Sequence, residues 1–159
     1  GYGPDCWGLT ACDGPGDFKM MLGGKEREFY SYSARGPGER DDGTLAPTAL
    51  LGSLPFAPEI VEPTVQAMYF RYGDQLYDKY GFLDSFNPTI VRRPSQPFRH
   101  GEFRLGVGWV DKDYLGIDQG PIVAMIENHR TGLVWNTMRK NPHIRRGLQR
   151  AGFTGGWLG

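Results

Sequence analysis

Three short segments of the sequence combine acidic side chains with glycines, and each segment borders a loop. They are residues 6–15, 41–47 and 109–121, and the third leads into residues 127–130. The first and the third also contain an aromatic residue. Carboxylates and amides accept hydrogen bonds from hydroxyl groups, and an aromatic face can cover the apolar side of a sugar ring. The pattern therefore predicts a sugar-binding site with carboxylates available for acid–base chemistry.

The side chains that could serve such a site are the acids, amide, arginine and tryptophans of these segments. They are Trp7, Asp13, Asp42, Trp109, Asp118, Gln119, Glu127 and Arg130. Each also has a structural interpretation. Asp42 and Gly43 form a dipeptide that is common in turns. Asp118 could interact with exposed amides at the start of the next helix. Glu127 could pair with Arg130 on a helix face. The tryptophans could be packing residues, and the sequence leaves both interpretations open.

The charge balance argues against two classes of partner. Eighteen basic residues match eighteen acidic ones, so no net field attracts a nucleic-acid backbone or an anionic membrane. The basic run at residues 92–100 lacks the interleaved aromatics that stack on bases. The longest apolar runs, such as residues 122–126, are far shorter than the roughly 20 residues of a membrane span. A neutral polar partner is predicted.

The two cysteines do not indicate a metal or redox centre. Cys6 and Cys12 have a spacing that matches none of the zinc or redox patterns. A local disulfide and two free thiols both remain open. We expect no cofactor and no metal.

Segments with helical periodicity alternate with segments rich in glycine and proline. Pro47 predicts a short helix that runs to Leu54. Apolar residues at three- and four-residue intervals predict a second helix over residues 59–72, interrupted or restarted at Pro63. A short helical turn is predicted over residues 74–80.

The strongest helical pattern covers residues 121–140, with Asp118 and Gly120 at its capping positions, and a last helix covers residues 142–151. Residues 1–46 and 82–118 are predicted to be irregular. The exceptions are a weak strand-like stretch at residues 28–32 and a possible hairpin at residues 103–110. The sequence thus predicts an all-α fold with long polar loops.

Several ordered motifs carry a family resemblance. They are residues 7–15, 42–49, 51–56, 80–82, 84–87, 116–123 and 125–132, followed by 141–146 and 152–153. In this order they resemble the carboxy-terminal part of the bacterial glucoamylase-like family. That family includes endo-β-1,2-glucanases of glycoside hydrolase family 144 and related domains of cyclic β-1,2-glucan synthases.

The resemblance implies an (α/α)6 barrel of about twelve helices, of which this sequence supplies four or five. Residues 1–159 are therefore expected to be the carboxy-terminal portion of one such domain, whose amino-terminal portion is absent. The loops at residues 17–41 and 88–108 are longer than the usual family connections, so they could reshape the cleft. The resemblance also implies a periplasmic or secreted protein.

The implied activity is hydrolysis or transglycosylation of a β-glucan, with β-1,2 as the expected linkage. Glycoside hydrolysis uses two carboxyl groups. Asp118 is expected to be the catalytic base or a key subsite ligand, because it lies in the family motif and the positive end of the next helix favours its ionised form. Asp13 and Asp42 would bind sugar hydroxyls or orient water.

Further roles follow from the same resemblance. Trp7 and Trp109 would stack on sugar rings, and Gln119, Glu127 and Arg130 would add substrate contacts. The family's general acid is expected to be a Glu in the amino-terminal half, so this chain alone is expected to be inactive. The expected partners are an oligo- or polysaccharide and that missing half of the domain.

Two other functions compete with hydrolysis. A non-catalytic glucan-binding or glucan-handling module would bind oligosaccharides without forming a product. A purely structural half of a barrel would show exposed apolar helix faces.

Overall fold

The computed structural model describes residues 2–158. Its strands are β1 (Ala11–Cys12), β2 (Phe18–Leu22), β3 (Lys25–Phe29), β4 (Ser33–Ala34), β5 (Tyr77–Asp78), β6 (Gly81–Phe82), β7 (Phe86–Asn87), β8 (Glu102–Arg104) and β9 (Gly108–Val110). Its helices are α1 (Pro47–Leu51), α2 (Pro58–Tyr72), α3 (Gly116–Arg130), α4 (Leu133–Arg139) and α5 (Pro142–Arg150). The strands form three two-stranded antiparallel ladders and one three-stranded sheet.

The expectation of an all-α fold is wrong. Helices account for 36% of the chain and strands for 20%. The error comes from the glycine-rich segments, which were expected to be irregular and instead form short paired strands. Strands of two to five residues are too short to show a clear alternation of apolar and polar residues. The glycines and prolines around them therefore indicate turns more strongly than the strands indicate themselves.

The first of the two predicted long loops contains a hairpin of β2 and β3. Its turn is Gly23-Gly24, with φ angles of 56° and 76°, which is the left-handed conformation that a two-residue hairpin turn requires. Along β2 the buried side chains Phe18, Met20 and Leu22 alternate with exposed ones. The strand signal was therefore present in the sequence but was placed too late, at residues 28–32.

The second predicted long loop ends in a three-stranded sheet with the order β7-β9-β8. β8 and β9 form the hairpin that the sequence predicted, and all three residues of β9 are buried. β7 pairs with the other edge of β9, with Phe86 opposite Val110. Leu45 pairs in turn with Phe86, so the segment that leads into α1 is joined to this sheet.

The first two helices are close to their predicted positions. α1 begins at Pro47 as its first-turn proline, and α2 runs to Tyr72, followed by Gly73 at a φ of 50°. The predicted interruption at Pro63 is wrong, since α2 continues through this residue. The helical turn expected after α2 is limited to a 3-10 turn at Gly73–Gln75, and β5 follows it.

The long helix predicted over residues 121–140 is two helices, and the first begins earlier than expected. α3 begins at Gly116, with Leu115 as its N-cap, and it ends at Arg130. Asp118 and Gly120 are therefore inside the helix and are not its caps. Gly132, with a φ of 70°, separates α3 from α4.

The apolar core has two parts. The larger cluster joins α1 and α2 to residues such as Leu76, Phe86 and Val110. The smaller cluster lies beside the β2–β3 hairpin and includes Phe29 and Trp109. Among the described residues, α4 and α5 bury no side chain fully. No helix in the described part of the chain has the length and apolar character needed to cross a bilayer.

Candidate functional site: an acidic cavity

A cavity of about 350 Å³ opens where the β1 segment, α1 and the start of α3 meet. We call it the acidic cavity, because Asp13, Asp84 and Asp118 all line it. Thr48 and the exposed Tyr32 contribute to its wall. Two of the three aspartates predicted to share a site, Asp13 and Asp118, are thus brought together here.

Asp118 is held by the packing of α3 against α1. It lies in the first turn of α3 and is 9% exposed. The hydroxyl of Thr48, from α1, donates a hydrogen bond of 3.0 Å to the Asp118 carbonyl oxygen. The neighbouring Gln119 donates through Nε2 to the Phe82 carbonyl oxygen at 2.8 Å, which fixes α3 to β6. Gln119 therefore positions the helix and does not line the cavity.

Asp84 is a member of the site that the sequence-based assignment missed. It is 2% exposed, and its Oδ2 accepts a hydrogen bond of 3.4 Å from the Asp13 backbone N–H. Burial raises the pKa of Asp84 to about 7, and the adjacent Asp118 carboxyl group adds to the increase. The motif at residues 84–87 was the available sequence signal, but it gave no reason to select the aspartate.

Asp111 lies behind Asp84 and is 1% exposed. One carboxylate oxygen from each of Asp13, Asp84 and Asp111 lies within 4.8 Å of the others, and we call these residues the three-aspartate cluster. Burial raises the pKa of Asp111, while the N–H groups of Asp113 and Lys112 oppose that increase. Asp111 follows the predicted hairpin directly, and nothing in its local sequence distinguishes it as a site residue.

Hydrogen bonds to backbone carbonyl oxygens hold this cluster together. The Asp84 N–H donates to the Asp113 carbonyl oxygen at 3.0 Å, and the Asp111 N–H donates to the Ser85 carbonyl oxygen at 2.9 Å. The Ser85 hydroxyl donates to the Asp13 carbonyl oxygen at 2.9 Å. Three segments that are far apart in the sequence therefore present their carboxylates to one another.

Asp42 is not in the acidic cavity. Its Oδ1 lies 3.0 Å from Arg35 Nε, and both side chains are 0% exposed. The same carboxylate accepts hydrogen bonds from the backbone N–H groups of Thr44 and Tyr30. Asp42 thus stabilises the turn that precedes α1, and we correct its expected role in binding sugar.

Neither tryptophan predicted to stack on sugar lines the cavity. Trp109 is 0% exposed within the smaller core cluster, and its Nε1 donates to the His100 carbonyl oxygen at 2.8 Å. A ring with no accessible face cannot stack on a ligand, so the stacking role of Trp109 is corrected to packing. Trp7 is half-buried, packs against the larger cluster and donates to Thr64 Oγ1 at 3.3 Å.

Glu127 and Arg130 lie at the opposite end of α3 from Asp118. Their side chains form an i,i+3 pair with a separation of 3.8 Å, and the Arg130 side chain is 70% exposed. Glu127 also accepts a hydrogen bond from the Thr131 hydroxyl. This arrangement matches the structural alternative for the pair, and neither residue lines the acidic cavity.

Both cysteines are free and buried, so the disulfide alternative does not apply. Cys12 lines the cavity, and burial raises the pKa of its thiol to about 12. Cys6 lies in the larger core cluster, where burial also raises the pKa of its thiol.

Comparisons with known proteins identify relatives of the chain. Residues 1–142 match a family model described as "Putative glucoamylase". The chain is 35% identical, over 151 residues, to an exo β-1,2-glucooligosaccharide sophorohydrolase (non-reducing end) from Parabacteroides distasonis. The match covers 94% of this chain and 17% of that relative, so the chain spans about a sixth of the relative's length.

Two solved structures resemble the fold. A Bacteroides uniformis protein, described in the same words as the family, has a TM-score of 0.75 and 40% identity, and the match covers 100% of this chain and 31% of that one. An endo-β-1,2-glucanase from Chitinophaga pinensis, solved with sophorotriose and glucose, has a TM-score of 0.70 and 34% identity. The match covers 99% of this chain and 31% of that one. With most of its length matched by the family model and by these relatives, the chain belongs to the glucoamylase-like family.

Proposed function

We propose that this chain is part of a periplasmic or secreted glycoside hydrolase that acts on a β-glucan, with β-1,2-linked glucan as its substrate. The acidic cavity is the observation that carries the proposal. It places Asp118, Asp13 and Asp84 around one opening in a chain whose relatives are named as β-1,2-glucan hydrolases. Carboxylates at such an opening are suited to bind sugar hydroxyls and to orient a water molecule.

In this proposal Asp118 is the base or the main subsite ligand. It is the one cavity aspartate that lies at the start of a helix, where the helix dipole favours negative charge. Asp84 and Asp118 are adjacent in the cavity, whereas carboxyl groups that flank a scissile bond are about 5 Å or more apart, so we do not propose these two as the catalytic pair. In this proposal the general acid comes from outside this chain, and the chain is the carboxy-terminal portion of a longer glucoamylase-like domain.

The other cavity residues have supporting roles. Asp13 is partly exposed and can accept hydrogen bonds from sugar hydroxyls. Tyr32 is 67% exposed at the cavity wall, and it offers the aromatic face that the sequence assigned to tryptophans. In this proposal Asp13 keeps its expected contact with substrate, and Tyr32 takes the stacking role that was expected of Trp109.

The test uses the full-length protein with linear β-1,2-glucan, and turnover is followed as new reducing ends. We expect Asp118→Asn to lower kcat by about 10²- to 10⁴-fold, the usual contribution of a positioned acid–base group. If Asp118 only binds a subsite, KM rises instead and kcat changes less. Asp74→Asn makes the same chemical change at an exposed aspartate outside the cavity, and its activity should equal that of the unchanged protein.

Two results would contradict the proposal. Unchanged kcat and KM in Asp118→Asn would remove Asp118 from the mechanism. Binding of the glucan by calorimetry, without any product, would favour the non-catalytic glucan-binding module instead.

A further inference from the structure

We propose that the three-aspartate cluster binds a divalent cation of the calcium class, beneath the acidic cavity. No metal was expected from the sequence, because the ligands come from three separate segments and have no characteristic spacing. The inference does not depend on the proposed hydrolase function, since it concerns binding and stability and not turnover.

The first observation is the unpartnered state of two buried oxygens. Asp84 Oδ1 and Asp111 Oδ2 are both inaccessible to solvent, and neither has a hydrogen-bond partner among residues 2–158. Buried polar atoms are rarely left in this state, and a bound ion is one of the established explanations. A proton shared between Asp84 and Asp118 could satisfy the first oxygen, but Asp111 Oδ2 would remain without a donor.

The second observation concerns charge. Within the described part of the chain, no salt bridge includes Asp13, Asp84 or Asp111. The nearby Lys112 is directed to Glu102, at 4.0 Å, and Arg35 is committed to Asp42. Charges buried in proteins are normally paired or coordinate metals. A cation would supply the positive charge that no side chain supplies here.

The spacing of the oxygens is compatible with a divalent cation that binds oxygen ligands. One oxygen from each aspartate lies within 4.8 Å of the other two. Calcium binds oxygen ligands at about 2.3–2.6 Å, so oxygens on opposite sides of the ion are roughly 5 Å apart, whereas magnesium requires about 2.0–2.1 Å and stricter geometry. Both ions fit within this limit, and calcium is favoured because it accepts flexible coordination geometry, whereas magnesium requires a near-ideal octahedron. Asp13 and Asp84 also line the cavity, so remaining coordination positions can be filled by water.

The experiment measures binding of Ca²⁺ to the full-length protein after treatment with a chelator. Calorimetry should show one saturable site for Ca²⁺, and Mg²⁺ should bind at least about tenfold more weakly. Saturating Ca²⁺ should raise the midpoint of thermal unfolding by roughly 3–5 °C, because a ligand that binds only the folded state stabilises it. Absence of binding heat together with an unchanged midpoint at millimolar Ca²⁺ would overturn the proposal.

Two variants test the ligand set. Asp111→Asn removes a cluster carboxylate that does not line the cavity, and it should weaken Ca²⁺ binding at least about tenfold. Asp113→Asn removes a neighbouring exposed charge that is outside the cluster, and its affinity should change less than about threefold. Equal loss of affinity in both variants would overturn this ligand set. If Asp111→Asn does not fold, the measurement on the unchanged protein still decides the question.

Discussion

Residues 2–111 and residues 116–158 differ in how many of their side chains are buried. The first region encloses most of the buried side chains, polar as well as apolar, with the Arg35–Asp42 ion pair at 0% side-chain exposure as the extreme case. In the second region, which is helical, the buried residues among those described are Asp118, Ile122 and Asn128, while Ile117 is 80% exposed and Val123 is 66% exposed. The comparison teaches that the strands and the first two helices can build a core within this chain, whereas α3, α4 and α5 are only partly covered by it.

The largest expected effect tests the enclosed region. Arg35→Met leaves the Asp42 carboxylate buried and unpaired, and we expect the free energy of unfolding to fall by about 3–5 kcal/mol. Adding Asp42→Asn should recover part of this loss, because the uncompensated charge is removed. Chemical denaturation of the full-length protein provides the measurement.

The matched control is the exposed pair of Lys19 and Glu26, whose side chains are 57% and 62% exposed at a separation of 3.5 Å. Lys19→Met should cost no more than about 1 kcal/mol. Similar losses of unfolding free energy for Arg35→Met and Lys19→Met would contradict the difference that we expect between the buried and the exposed ion pair.

A smaller effect is expected at the connection between α3 and α4. Asn128 is 6% exposed, and its Oδ1 accepts a hydrogen bond of 3.0 Å from the Trp135 backbone N–H. Asn128→Ala should lower the free energy of unfolding by about 1 kcal/mol, since a helix-end N–H loses its acceptor. The exposed Asn136 is the control, and Asn136→Ala should stay within about 0.5 kcal/mol. A loss of unfolding free energy at Asn128 as large as that at Arg35 would mean that residues 116–158 depend on buried polar contacts as strongly as residues 2–111 do.

The last prediction concerns the rate of thiol labelling, and it involves no change in the free energy of unfolding. Cys6 and Cys12 are each 3% exposed, and burial raises the pKa of Cys6, so the reactive thiolate is scarce at pH 8. Both thiols should react with a disulfide reagent only after unfolding. A thiol introduced by Met138→Cys on α4, where the methionine is 49% exposed, should react at once in the folded protein.

The labelling result can also sharpen the comparison. Rapid reaction of Cys6 in the folded protein would contradict its burial. Slow reaction at position 138 would mean that another part of the full-length protein covers α4.

Helices could be predicted from the sequence because their signal is local. Pro47, Gly73 and Pro142 fixed three boundaries to within a residue or so. The start of α3 was placed five residues late, because Pro121 was interpreted as a first-turn residue although the helix accommodates it internally. The same rule failed at Pro63. Proline marks a boundary only where the surrounding packing does not compensate for its missing N–H.

The site was predicted less completely than the helices. Motif resemblance selected Asp13 and Asp118, which share the cavity. It could not select Asp84 and Asp111, because their proximity depends on the pairing of β7 with β9 and on hydrogen bonds between distant loops. The burial of Asp42 by Arg35 was equally inaccessible, since an acid beside a glycine gives no indication of its partner.

The hydrogen bonds that join the segments of Asp13, Asp84 and Asp111 have a consequence for folding. The first and last of these residues are roughly a hundred positions apart, so the chain must close a long loop before they can meet. Closure over such a distance slows folding, and here it also brings like charges together. We therefore expect this corner to assemble late in folding, with the three carboxylates brought together only after the surrounding strands have paired.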